Sequence, residues 1–130
     1  MADVNCTGGI MQKRLITLFG IAMLAACEGV EHVSTQPRVS VYKYVGSVQC
    51  KGGGTPLATM MRQLSDAKIP VLNVSCGSDG RVYPAMCGAA DGHIGILEVP
   101  EAKASEAAAL GFAPLSKLPE ASKTACPKSP

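Results

Sequence analysis

Aromatic residues are scarce in this 130-residue chain: no tryptophan, two phenylalanines and three tyrosines. So few rings exclude a large aromatic ligand pocket and leave little for bases to stack on. Excess charge is also missing. With Asp3, Lys13 and Arg14 set aside, ten basic side chains face nine acidic ones, with no basic stripe, so nucleic acid is not an expected partner. The longest apolar run, Leu15 to Ala26, spans twelve residues, whereas a membrane-spanning helix needs roughly 20. No Cys-x-x-Cys occurs, which argues against a zinc site and a thioredoxin-like redox motif. No cofactor is expected.

What is present begins with that apolar run. Lys13 and Arg14 precede it and Ala25-Ala26-Cys27 close it, the layout of a secretory signal. Leu24-Ala25-Ala26-Cys27 resembles the lipobox of bacterial lipoproteins. The resemblance implies that Cys27 is lipidated, that residues 1–26 are removed, and that the chain is anchored to a membrane through this cysteine. Glu28 follows Cys27 where an Asp would favour inner-membrane retention in enteric-type sorting, so the expected site is the outer membrane, facing the periplasm. Met11-Gln12-Lys13-Arg14 is a more ordinary start than residues 1–10, so translation is expected to begin at Met11 and Cys6 to have no mature role.

Removing Cys27 from the count leaves Cys50, Cys76, Cys87 and Cys126. An even number of cysteines in an exported chain reads as two disulfides. Three pairings exist. A domain of this size has a modest core, which crosslinks would support.

Residues 28–38 read as a polar tether, reaching roughly 35 Å when extended, with His32 solvated in it. Residues 39–118 form the expected domain and 119–130 a loose tail pinned by Cys126. Val39 to Val48 alternates as a strand. Lys51-Gly52-Gly53-Gly54 breaks it as a turn; it has neither the Gly-Lys-Ser/Thr ending of a P-loop nor the spaced glycines of a dinucleotide fingerprint. Thr55 as N-cap and Pro56 at the first helical position open a helix to about Ala67, with Leu57, Met60, Met61 and Leu64 as a buried stripe. Val71–Ser75 is a second strand, Arg81–Cys87 a short hairpin arm, and His93–Val99 a third strand. Glu101–Leu110 is an alanine-rich helix ended by Gly111, and Phe112–Leu118 a short fourth strand.

This order predicts an α+β fold: a small ferredoxin-like, or split βαβ, antiparallel sheet with two helices on one face, crosslinked by disulfides. The first two strands would lie parallel, with the third between them. Cys50, Cys76 and Cys87 then gather at one end of the sheet, favouring Cys50–Cys87 or Cys76–Cys87, with Cys126 taking the remaining partner.

Cys76-Gly-Ser-Asp-Gly-Arg-Val-Tyr-Pro-Ala-Met-Cys87 resembles the core of a Kazal-type protease inhibitor: a cysteine, six residues, a tyrosine, three residues and a second cysteine. The further cysteines that flank this core in the family have no counterpart here. The resemblance implies an inhibitory segment over residues 77–86. The element order is also similar to that of the sporulation-related repeat domain, which implies binding of peptidoglycan glycans on the sheet face carrying Tyr42 and Tyr44. Asp79, Arg81, Tyr83, Asp91 and His93 are the polar groups closest to the clustered cysteines and are the candidate binding residues. No motif places a nucleophile beside a base. The expected function is non-enzymatic: binding or structural support at the membrane surface, with an envelope protein or glycan as partner.

Overall fold

The alternating valines after Pro37 build the first strand, β1 (Arg38–Tyr44), of a five-stranded antiparallel sheet. The structure is a computed structural model that describes residues 35–127. The expected signal segment, Cys27 and the expected tether up to residue 34 lie outside the described residues, as do 128–130. After β1 come helix α1 (Leu57–Asp66), strands β2 (Asn73–Ser78) and β3 (His93–Pro100), helix α2 (Ala104–Ala109), and two short strands, β4 (Ala113–Pro114) and β5 (Ser122–Thr124). The sheet order is β4-β1-β3-β2-β5.

Strand β3 is apolar on both faces because it is covered on both. Val41 of β1 and Val74 of β2 both lie opposite Leu97. Since β1 and β2 each run antiparallel to β3, they are parallel to each other with β3 between them, as expected from the element order. On one face Leu97, Val99 and Val41 pack with Met60 and Leu64 of α1 and Ala107 of α2, together with Ile69 and Phe112. Both helices thus share one face of the sheet. Gly95 lets α1 approach: a Cβ there would sit 2.6 Å from the Met60 sulfur. On the other face Ile94 and Ile96 are covered by Leu118, Tyr42, Leu115 and Ala121. The α+β class and its crosslinking by two disulfides stand as expected.

Several element boundaries differ from the periodicity. Thr55 is not the N-cap of α1: its N–H donates to Val45 O at 2.7 Å, tying it to the end of β1, and the extended Pro56 caps the helix with its carbonyl. Met61 is exposed rather than part of the buried stripe, because Met60 takes the inward position beside it. Strand β2 starts two residues later than expected and continues through Cys76 to Ser78, where β5 extends its ladder. No hairpin forms over Arg81–Cys87; the segment is irregular, with Pro84 lacking a donor and Cys87 drawn to Cys50. Glu101–Lys103 is a 3₁₀ turn before the short α2. The fourth strand keeps only Ala113–Pro114, since Leu115–Lys117 turns as 3₁₀ and carries Leu118 under the sheet. Residues 119–127 of the expected loose tail include β5, paired with β2 from Cys76–Thr124 to Ser78–Ser122 and held by the Cys76–Cys126 disulfide.

Both helices end in the same six-residue closure. Phe112 N–H reaches Ala107 O at 3.1 Å around Gly111 at φ +86°, and Ile69 N–H reaches Leu64 O at 2.9 Å around Lys68 at φ +61°. A side chain in this left-handed region is strained, and Lys68 bears that strain where Gly111 does not. Lys68→Gly therefore raises the unfolding free energy by up to about 1 kcal/mol, read from urea denaturation.

Candidate functional site

Between the end of β2 and the start of β3 the chain makes a long loop, 79–92, with no buried side chain from Gly80 to Ala90. Little apolar burial holds it. It is instead tied down at both ends.

The first tie is Asp79, whose side chain is fully buried. Its carboxylate accepts from Tyr83 Oη at 2.6 Å, Arg81 N at 3.0 Å and Tyr44 Oη at 3.1 Å, and Arg81 Nε lies 3.9 Å away. Burial pushes the carboxyl up, but the hydrogen bonds from Tyr83, Arg81 N and Tyr44 outweigh it, holding Asp79 below its ordinary value. Both tyrosines shift upward, Tyr44 chiefly through burial and Tyr83 chiefly through its hydrogen bond to the carboxylate. Asp79 N–H also donates to Gly92 O at 3.0 Å, closing the neck of the loop. Gly92 lies at φ +72°, and a Cβ there would stand 2.6 Å from Asp79 Oδ1 and 2.7 Å from Tyr83 Cε2. Gly92→Ala accordingly costs about 2 kcal/mol, seen as a lower melting temperature and faster amide exchange over 79–92.

The second tie is the turn 48–52. Gln49 makes four hydrogen bonds to the far end of the loop: its N–H to Ala89 O, its carbonyl from Gly88 N, and its Nε2 to Pro84 O at 2.8 Å and Ala90 O at 3.1 Å. Next to it, Cys50 is bonded to Cys87, their Cα atoms 5.1 Å apart. The second disulfide is Cys76–Cys126. Of the pairings left open by sequence, this is the one in which Cys126 takes Cys76.

A third cluster joins the same two segments. Ser47 Oγ donates to Asp91 Oδ1 at 2.9 Å, His93 N to the same oxygen at 3.1 Å, and His93 Nδ1 lies 3.0 Å from Asp91 Oδ2. Burial opposes ionisation of Asp91, yet the bonds from Ser47 and His93 hold its carboxyl below the ordinary value. Serine, histidine and aspartate here are not arranged for nucleophilic catalysis. Ser47 Oγ lies 3.4 Å from the same Nδ1 that faces the carboxylate. The serine hydroxyl donates to Asp91, at 2.9 Å, rather than to the more distant imidazole nitrogen, and that nitrogen faces the carboxylate instead of being left as a base for the serine. The cluster borders a cavity of about 260 Å³ with Val45, Gly52 and Cys76 on its walls. Among the described residues no group of three or more metal-ligating side chains comes together.

The five candidate residues thus fall into two clusters: Asp79, Arg81 and Tyr83 in one, Asp91 and His93 in the other. Gly92 lies between them. Sequence reasoning missed Tyr44, Ser47 and Gln49 as their partners. Tyr42 and Tyr44, expected on an open sheet face, are committed elsewhere: Tyr42 packs with the Ile94–Ile96–Leu118 cluster, its ring edge-on to that of Tyr44 at 5.6 Å, and Tyr44 serves Asp79.

What the tied loop presents to solvent is apolar. Val82 is 99% exposed and Met86 60% exposed, the two most exposed large apolar side chains among the described residues. Arg81 stands beside them, exposed. Among the described residues no helix is long and apolar enough to cross a membrane. No family model, no curated protein and no solved structure matches the chain.

Proposed function

We propose that this chain is a lipid-anchored, non-enzymatic binding module of the bacterial cell envelope, and that loop 79–92 is its recognition element. The observation that carries the reading is the loop itself: fixed at both ends, yet displaying Val82 and Met86 to water. Exposing such side chains on a rigid support is unfavourable for an isolated domain and favourable for binding. The ordering entropy is already spent, so a partner pays less to engage the loop. Two disulfides suit an oxidising compartment, and the Leu24–Cys27 sequence supplies the anchor, with the outer membrane as the expected site. The partner class is an envelope protein. The glycan reading is weaker, because Tyr42 packs against Leu118 and the Tyr44 hydroxyl is engaged by Asp79, leaving only the 40% exposed ring of Tyr44 to offer.

A photo-crosslinking residue in place of Val82 gives a discrete adduct in intact envelopes, and one in place of the exposed Arg62 gives none. Met86→Asp removes the adduct while changing stability by less than about 0.5 kcal/mol. Equal labelling at both positions, or none at 82, sinks the reading. The same rigid loop favours a second reading, protease inhibition by residues 77–86, resting on the Kazal-like spacing. A panel of serine proteases decides it: the oxidised domain inhibits at least one at micromolar concentration, or that reading is lost.

A further inference from the structure

We propose that the Cys50–Cys87 disulfide is a redox latch on loop 79–92, opened by a dithiol reductant while the sheet stays folded. This rests on the loop being the recognition element and adds how that element is switched. The two crosslinks stand in different surroundings. Cys50 and Cys87 are both exposed, each in an irregular segment, where a thiolate can approach. In the other pair Cys126 is exposed too, but Cys76 is half-buried inside β2, with Gly95 of β3 on one side and Thr124 of β5 on the other, so only one of its two sulfurs is open to attack. Cys50 is also held at φ +68°, a left-handed backbone that a residue with a Cβ resists. Once the bond is cut, the turn around Cys50 keeps its Val48–Gly52 hydrogen bonds, and Cys87 is no longer tied to it.

The consequence for the loop follows from what remains. Without the disulfide, the far end of the loop is held mainly by the four hydrogen bonds of Gln49, those of its side chain exposed, and by the backbone bridge between Val48 and Ala90, with the Ser47–Asp91 bond pinning the residues next to the neck. Bonds that water can replace hold a segment weakly. Asp79 keeps the near end fixed, so the loop hinges there and Val82 and Met86 lose their fixed presentation. The chemistry balances as two exchanges. A thiolate of the reductant attacks one cysteine sulfur, breaking the Cys50–Cys87 bond and forming a mixed disulfide. The reductant's second thiol then displaces the protein sulfur. Two electrons and two protons pass to the pair, which ends as two thiols, and the dithiol ends as a disulfide.

The test uses the oxidised, membrane-extracted protein in detergent, a dithiothreitol series, iodoacetamide quenching and peptide mapping, with deuterium uptake read on the same samples. Cys50 and Cys87 are expected to become alkylated at least about tenfold faster than Cys76 and Cys126. Uptake over residues 81–90 rises about tenfold in step with them, while β1 and β3 keep their protection. Cys50→Ser with Cys87→Ser gives the same loop uptake without reductant. Opening of Cys76–Cys126 first or at the same rate overturns the proposal, as does a loop whose uptake is unchanged once Cys50–Cys87 is reduced. Crosslinking from position 82 separates the two readings. An adduct in the oxidised chain that vanishes on reduction supports both. No adduct in either state removes the recognition role, while the latch is still decided by alkylation and uptake.

Discussion

Replacing Cys76 and Cys126 together with alanine lowers the unfolding free energy by about 4 kcal/mol, the loop-closure value for a crosslink between residues 50 apart in sequence. The native state suffers as well. Strand β5 has three residues, all exposed, so little besides its ladder with β2 holds it once the disulfide is gone. Its departure loosens Leu118 and Ala121 from Ile94 and Ile96. Urea denaturation under non-reducing conditions, followed by far-ultraviolet circular dichroism, measures the loss. The matching change at Cys50 and Cys87 costs less, although that ring is nearly as long, at a separation of 37. No strand leaves the sheet with it, since Cys50 and Cys87 both lie in irregular segments. The two double variants should therefore rank in that order, and the reverse order would mean that the loop crosslink is the principal staple of the fold.

Asp79→Ala is expected to cost about 3 kcal/mol, because a charged acceptor of three hydrogen bonds is lost from a buried position. Asp79→Asn keeps the shape and costs less. The same residue sets an acid limit. Its folded pKa lies below the ordinary 3.8, so the folded state binds its proton less readily than the unfolded chain. Its contribution is complete above the unfolded value and is lost as pH falls from there through the depressed folded value. Asp91 is shifted in the same direction and adds to the effect. Stability is thus flat with respect to these two groups from neutral pH down to about 5 and falls below about 4. In Asp79→Ala the acid slope is shallower. An unchanged slope would show that the Asp79 cluster contributes nothing to folding.

The elements that were legible in the sequence are those with local periodicity and burial. The alternation Val39, Val41 and the unbroken apolar stretch of β3 announced strands, and the Met60–Leu64 spacing announced a helix. The order of these elements sufficed for the α+β class and for placing β3 between β1 and β2. Strand β5 was not legible: Ser-Lys-Thr is short and polar, and it is a strand only because β2 offers an edge and Cys126 a tether. The candidate residues were found by type and proximity to cysteines, whereas their partners depend on register. Tyr44 meets Asp79 across 35 residues and Ser47 meets Asp91 across 44. Gln49 belongs to no motif, and its role arises only because the turn after β1 faces the loop after β2. Cysteine pairing was open for the same reason, since three cysteines at one end of a sheet do not specify which two meet.

An exported, lipid-anchored domain closed by two disulfides has a defined mass and no free thiol. Its most direct measurement is the intact mass of the membrane-extracted protein, before and after alkylation without reduction. The expected result is a chain starting at Cys27 and carrying lipid, with no alkylation at Cys50, Cys76, Cys87 or Cys126. A mass that includes residues 11–26, or an alkylated cysteine among those four in the untreated protein, would contradict it.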